Sequence, residues 1–111
     1  MGVAGNSSGA PPYVIFRQAL DAGDLDRIRM LAPQMPRIQL ADALRICLLL
    51  RDDEEARDRA SLRWIGRFAL EARGATLADF DEAWSALKEL ASDPDGAMER
   101  LLAVCARCHV A

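Results

Sequence analysis

One short run of residues, Cys105-Ala106-Arg107-Cys108-His109, has the types and spacing to do chemistry. Two cysteines separated by two other residues and followed by a histidine match a c-type haem attachment site, where the thiols bond the haem and the imidazole binds iron. Residues 1–12 have neither the basic nor the apolar segment of an export signal. Since such haem is usually attached outside the cytoplasm, we expect no haem and no other cofactor.

The same run suggests zinc when the remaining cysteine is added. Zn²⁺ prefers thiolate and imidazole ligands, and one Cys3His set can be written: Cys47, Cys105, Cys108 and His109. Zinc knuckles are loops, whereas these cysteines lie in predicted helices. We therefore expect Cys105 and Cys108 to be buried thiols on one helix face with Leu101 and Leu102, and His109 to lie at a fraying helix end. The zinc set remains the alternative.

The sequence contains no recognisable catalytic constellation. Its single histidine, His109, is the only imidazole base, and no Gly-x-Ser-x-Gly turn or phosphate-binding glycine loop is present. The adjacent acids Asp52/Asp53 and Asp81/Glu82 are expected to be helix caps or solvated side chains. We therefore expect that the protein is not an enzyme.

Three arginines recur every four residues, with a glutamate four residues before and after them: Glu55, Arg59, Arg63, Arg67 and Glu71. Residues 56–73 contain five arginines against two acids, whereas residues 76–95 contain six acids against one lysine. Like charges at this spacing repel by about 0.2 to 0.5 kcal/mol per pair, so something should offset them. Either the acidic helix that follows pairs with these arginines, or they bind carboxylates or phosphates of a partner.

The composition is that of an ordinary globular chain. At 111 residues it is long enough for one domain with its own core, which we expect over residues 13–111 after a flexible leader, 1–12. A net charge of −3 gives no general attraction to nucleic acids or anionic membranes, and no apolar stretch is long enough to span a bilayer. Three cysteines, an odd number, are expected to be thiols in the cytoplasm.

Apolar periodicity and capping residues predict five to six short helices and no strand, hence an all-α fold. The third helix, from Ile38 to Arg51, is expected to be the most buried. Trp64 and Trp84 are expected to anchor the fourth and fifth helices against it. The predicted boundaries are marked by Gly23, Asp24, Pro33, Asp52 with Glu55, Gly74, Thr76 with Asp79, and Asp93 with Pro94.

Two weak resemblances accompany this pattern. A shift of 37 residues sets Leu40-Ala41-Asp42 on Leu77-Ala78-Asp79, and this spacing resembles the helical hairpins of HEAT and ankyrin-type repeats, which implies a helical-repeat-like array. Residues 40–45, 63–68 and 76–79 resemble small all-helical proteins of high-GC, actinobacterial-type genomes. Thirteen arginines against one lysine, and twenty alanines, agree with such a bacterial origin. The resemblance carries no activity and no site residue.

The sequence therefore predicts a non-catalytic protein-interaction module, an adaptor or scaffold with an unknown protein partner or a second copy of itself. The alternative is a small nucleic-acid-binding regulator that uses Arg59, Arg63 and Arg67. Nucleic acid is the less favoured partner, because no helix carries Asn, Gln or Lys along one face to bind base edges.

Overall fold

The computed structural model describes residues 11–110, in which helices alone form the regular structure. They are α1 (Pro12–Ala22), α2 (Leu25–Leu31), a 3-10 turn (Ala32–Gln34), α3 (Leu40–Leu49), α4 (Glu54–Glu71), α5 (Leu77–Lys88) and α6 (Pro94–Arg107). No strand occurs in this range, so the predicted all-α class is confirmed. Within the same residues, no helix has both the length and the apolar character to cross a bilayer.

The chain divides after Ile38 into two compact units. The first contains α1, α2 and the 3-10 turn, and the second contains α3 to α6. The single domain expected over residues 13–111 stays a prediction. Of the expected leader, residues 1–10 lie outside the described residues, and Pro12 already begins α1.

In the first unit, two adjacent residues end one helix and begin the next. Gly23 has a positive φ of 67°, and the Asp24 N–H donates back to the Ala19 carbonyl, which closes α1. The Asp24 side chain then accepts from the Arg27 N–H at 3.2 Å and caps α2. Both predicted boundaries are confirmed.

The starts of α5 and α6 also follow the predicted caps. Thr76 and Asp79 form a reciprocal capping box, in which each side chain accepts from the other residue's backbone N–H. Asp93 accepts from the Gly96 N–H, and Pro94 occupies the first turn, where no donor is lost. Local side-chain chemistry alone therefore marks where these two helices begin.

The limits of α4 differ from the prediction at both ends. Its cap is Asp53, whose carboxylate accepts from the Ala56 N–H at 3.1 Å, and not Asp52, which lies in the preceding turn. The helix ends at Glu71 because Ala72 adopts an extended ψ of 144°. Gly74, the predicted end of the helix, has its positive φ of 68° in the loop that follows.

A row of aromatic rings joins α4 to both of its neighbours. The Trp64 indole N–H donates to the Leu40 carbonyl of α3 at 2.9 Å, and its ring stacks on Phe68 at 5.3 Å. Phe68 in turn meets Phe80 of α5 edge to face. Trp64 is 2% exposed, so its predicted burial is confirmed, and no residue of α3 is exposed.

Three large apolar residues lie partly or largely outside the core, among them Trp84 and Leu102, which were expected inside it. Trp84 is 37% exposed, Leu77 83% and Leu102 45%. The buried face of α5 is formed by Ala83, Ala86 and Leu87. It therefore combines two small side chains with one large one, whereas Leu77 and Trp84 lie toward solvent. The predicted anchoring role of Trp84 is wrong.

Salt bridges connect α5 to α6 near both ends of α5. Arg107 of α6 contacts Asp79 at 3.0 Å and Glu82 at 3.1 Å. Toward the other end of α5, just past its last residue, Glu89 contacts Arg100 of α6 at 3.1 Å. These contacts bring the acidic segment after Thr76 into an intramolecular network with α6.

The Asp79 carboxylate predicts a specific acid sensitivity. Hydrogen bonds from the Thr76 N–H and from Arg107 lower the pKa of Asp79 from 3.8 to about 2. Because the folded protein favours the ionised form, the stability that this group contributes is complete above about pH 4 and is lost as the pH falls toward 2. We expect Asp79→Asn to melt at a lower temperature than wild type at neutral pH, with a smaller further decrease over that window.

Circular dichroism melts between neutral pH and pH 2 measure this difference. Glu99→Gln is the control, because Glu99 is exposed on the neighbouring helix α6 and forms no ion pair with the described residues. Equal acid-induced loss of melting temperature in wild type and Asp79→Asn would contradict the assignment.

Candidate functional site

The three arginines that the sequence singled out lie along α4 but differ in their partners. Arg59 contacts Glu55 at 2.6 Å, and Arg67 contacts Glu71 at 3.0 Å, so both form ion pairs within the helix. Arg63 lies between them, is exposed, and has no carboxylate within ion-pair distance among residues 11–110. The helix thus neutralises the outer two arginines and leaves the middle one unpaired.

The predicted ion-pair network between α4 and α5 is wrong. Asp79, Glu82 and Glu89 pair instead with arginines of α6. The reason is the orientation of α4, which meets α5 through the rings of Phe68 and Phe80. Burial raises the pKa of the Cys47 thiol of α3 to about 11, and the positive charge of Arg63 opposes this rise.

The unpaired arginine has apolar neighbours on the outside of α4. Leu62 is 60% exposed and Leu70 is 87% exposed, and Gly66 lies midway between them along the helix. A Cβ placed on Gly66 would meet nothing within 4 Å, so the surface between the two leucines is open. We call Leu62, Arg63, Gly66 and Leu70 the α4 outer face. This face combines one unpaired guanidinium, two exposed apolar side chains and an open position at Gly66.

The cysteines of the C-x-x-C-H run are buried, as predicted. Cys105 is 5% exposed and Cys108 is 1% exposed. Burial raises the pKa of Cys105 to about 11. Burial and the neighbouring Asp79 carboxylate also raise the pKa of Cys108. These thiols are therefore packed in the core, in their protonated form.

His109 has a structural role that the sequence did not reveal. It has a positive φ of 57°, and its N–H donates to the Ala106 carbonyl, while the Val110 N–H donates to the Cys105 carbonyl at 2.9 Å. These are the two hydrogen bonds of a Schellman motif, with histidine at the position that glycine usually occupies. Because the Arg73 N–H also donates to the Cys108 carbonyl, this helix end is held in place. The expected fraying is wrong.

The structure does not assemble the alternative ligand set Cys47, Cys105, Cys108 and His109. Among residues 11–110, no three or more His, Cys, Asp or Glu side chains are grouped as metal ligands would be. Haem attachment requires two thiols that reach outward to the vinyl groups, which the buried sulfurs do not. The four residues therefore fit neither group.

No protein-family model, curated protein or solved structure matches this chain. The functional conclusion therefore depends on the geometry of the site itself.

The internal sequence similarity at a shift of 37 residues coincides with part of the structure. Helices α3 and α5 begin 37 residues apart, at Leu40 and Leu77, and each is followed by a longer helix. Ala60 and its counterpart Ala97 are both buried, but Leu40 is buried where Leu77 is exposed. The repeat stays a prediction.

Proposed function

We propose that this chain is a non-catalytic protein-interaction module, an adaptor or scaffold, which binds an acidic partner protein on the α4 outer face. The observation that carries the proposal is the exposed and unpaired Arg63 between Leu62 and Leu70. A guanidinium binds a carboxylate through two parallel hydrogen bonds. Exposed leucines beside it add apolar burial, which protein interfaces combine with such anchors.

The chemistry of this face favours a protein helix over a nucleic acid. A phosphate backbone would leave Leu62 and Leu70 without apolar contacts, and it would meet the carboxylates of Glu55 and Glu71 at either end of the arginine row. An amphipathic helix would place its apolar side chains against Leu62 and Leu70 and a nearby carboxylate against Arg63. The nucleic-acid regulator remains the alternative.

The proposal also places the module in the cytoplasm and assigns it no reaction. Its three cysteines are free thiols, which a reducing compartment preserves. Asp79 and Glu82 of α5, and Glu89 just past its end, are engaged by Arg100 and Arg107, so these three acids serve packing between helices.

Charge reversal at Arg63 tests the proposal. The probe is a fluorescent helical peptide with leucines at four-residue spacing and glutamates beside them. A second peptide has lysines in place of the glutamates. We expect the glutamate peptide to bind and the lysine peptide not to bind. Arg63→Glu should weaken binding by about tenfold or more, because it repels the carboxylate that the arginine attracts. Fluorescence anisotropy measures this loss.

Two controls make the result specific. Arg29→Glu changes the charge equally on α2, at another exposed arginine, and should bind the peptide as wild type does. Arg63→Glu should change the free energy of unfolding by no more than about 0.5 kcal/mol, because the position is exposed. Undiminished binding by Arg63→Glu would refute the proposal. Preferential binding of a DNA duplex that weakens steeply with salt would establish the alternative.

A further inference from the structure

A second exposed surface runs along α5. Four exposed residues occur at steps of four, three and four, and so lie on one side of the helix: Leu77, Asp81, Trp84 and Lys88. Leu77 is 83% exposed and Trp84 is 37% exposed, although both are large and apolar. We call these four residues the α5 stripe.

The two charges of the α5 stripe are unpaired, unlike those beside them. Asp79, Glu82 and Glu89 are engaged by arginines of α6. Asp81 and Lys88 form no ion pair with any described residue, and they lie seven residues apart with Trp84 between them. The stripe thus carries one negative charge, one positive charge and an apolar centre.

We infer that the α5 stripe is a twofold interface between two copies of this chain. When two such helices meet antiparallel, an axis that passes beside Trp84 places Asp81 of each copy opposite Lys88 of the other. The two Trp84 side chains then meet close to the axis. Twofold interfaces use the same patch on both copies, so the patch must complement itself.

The charge pattern favours a second copy of this chain over other partners. A purely acidic or purely basic partner would leave either Asp81 or Lys88 opposed by a like charge. A parallel pair would place each charge against its own copy. Only the antiparallel pair satisfies both. The α4 outer face does not suit a second copy in this way, because its one unpaired charge, that of Arg63, would meet the same positive charge. The inference is therefore independent of the proposed function.

The interface is expected to be weak and dependent on concentration. Exposed ion pairs add little affinity but discriminate strongly against like-charge contacts. Attraction must come mainly from the apolar surface of Trp84 and Leu77, and tryptophan is enriched among residues that dominate interfaces. The charges set the direction of the two helices, and the apolar side chains hold them together.

Charge-swapped variants test the inference by analytical ultracentrifugation across a concentration series. Wild type should pass from monomer to dimer as its concentration rises. Asp81→Lys and Lys88→Asp should each need a concentration about tenfold higher or more to dimerise, because each places like charges together twice. The double variant D81K/K88D should dimerise as wild type does. An equimolar mixture of the two single variants should form a heterodimer, since its charges are again complementary.

Glu99→Lys is the control, because it makes the same change in charge at an exposed acid of α6 outside the α5 stripe, and it should dimerise as wild type does. Trp84→Ala should remain monomeric. Monomeric wild type throughout the series would overturn the inference, and so would dimerisation of either single variant at the wild-type concentration. Failure of the double variant or of the mixture to recover the dimer would overturn it as well. Far-ultraviolet circular dichroism confirms that each variant is folded.

Discussion

Replacing Trp64 with alanine is expected to lower the free energy of unfolding by about 3 to 5 kcal/mol. The side chain is almost completely buried, stacks on Phe68 and donates a hydrogen bond to the Leu40 carbonyl of α3. The substitution leaves a cavity where α3 and α4 meet and removes that hydrogen bond. Most small domains are only 5 to 15 kcal/mol more stable than their unfolded chains, so this loss is a large fraction of the total.

Urea denaturation followed by circular dichroism measures the loss, and the second tryptophan supplies the control. Trp84→Ala removes the same atoms from a side chain that is 37% exposed, so we expect it to cost clearly less than Trp64→Ala in monomeric protein. Trp64→Phe keeps a ring for Phe68 to stack on but loses the hydrogen bond, and it should fall between wild type and Trp64→Ala. Similar costs at Trp64 and Trp84 would contradict the packing described above.

The second large effect is expected in thiol reactivity. At pH 8 a thiol with a pKa of about 11, as at Cys47 and Cys105, is ionised roughly a hundredfold less than one with the ordinary value of 9.0. Only the thiolate attacks a disulfide reagent, and all three sulfurs are buried. We therefore expect the folded protein to react at least about a hundredfold more slowly than the unfolded chain.

Titration with an aromatic disulfide reagent at pH 8 measures these rates. In denaturant all three cysteines should react rapidly, which provides the reference within the same sample. Rapid reaction of Cys105 or Cys108 in the folded protein would show that the thiols are accessible. The C-x-x-C-H run would then again be a candidate for covalent chemistry.

Local signals in the sequence predicted most helix boundaries correctly. The side chains of Asp24, Thr76 and Asp93 each accept a hydrogen bond from the backbone N–H three residues ahead. The interactions that begin these helices are therefore visible in a short stretch of sequence. Asp52 and Asp53 are adjacent and chemically identical. Which of the two caps α4 depends on which residue has the extended backbone just before the helix. The few residues around them do not determine this.

The rotation of α5 could not be obtained from its periodicity. Its large residues Leu77, Phe80, Trp84 and Leu87 recur at helical spacing, and this pattern predicts a buried stripe. Alanine gives a weak signal in such a pattern, yet Ala83 and Ala86 are fully buried. The buried side of the helix is therefore shifted toward these alanines. Leu87 is still buried, whereas Leu77 and Trp84 are exposed and belong to the α5 stripe.

The candidate site was found in sequence, but its distribution of charge was not. The spacing of Arg59, Arg63 and Arg67 correctly placed three arginines along α4. Glutamates four residues away from the outer two already suggested pairs within the helix. That Arg63 alone of the three stays unpaired depends on which side of α4 meets α5, a tertiary arrangement that no local spacing specifies.

The contacts of Arg107 and Arg100 with α5 have a further consequence, which concerns alignment. Each pair is at least partly exposed, so it adds little to the free energy of unfolding. A slide of α6 along α5 by one helical turn, about 5.4 Å, would nevertheless break all of them together. The arginines therefore specify one alignment of α6 along α5.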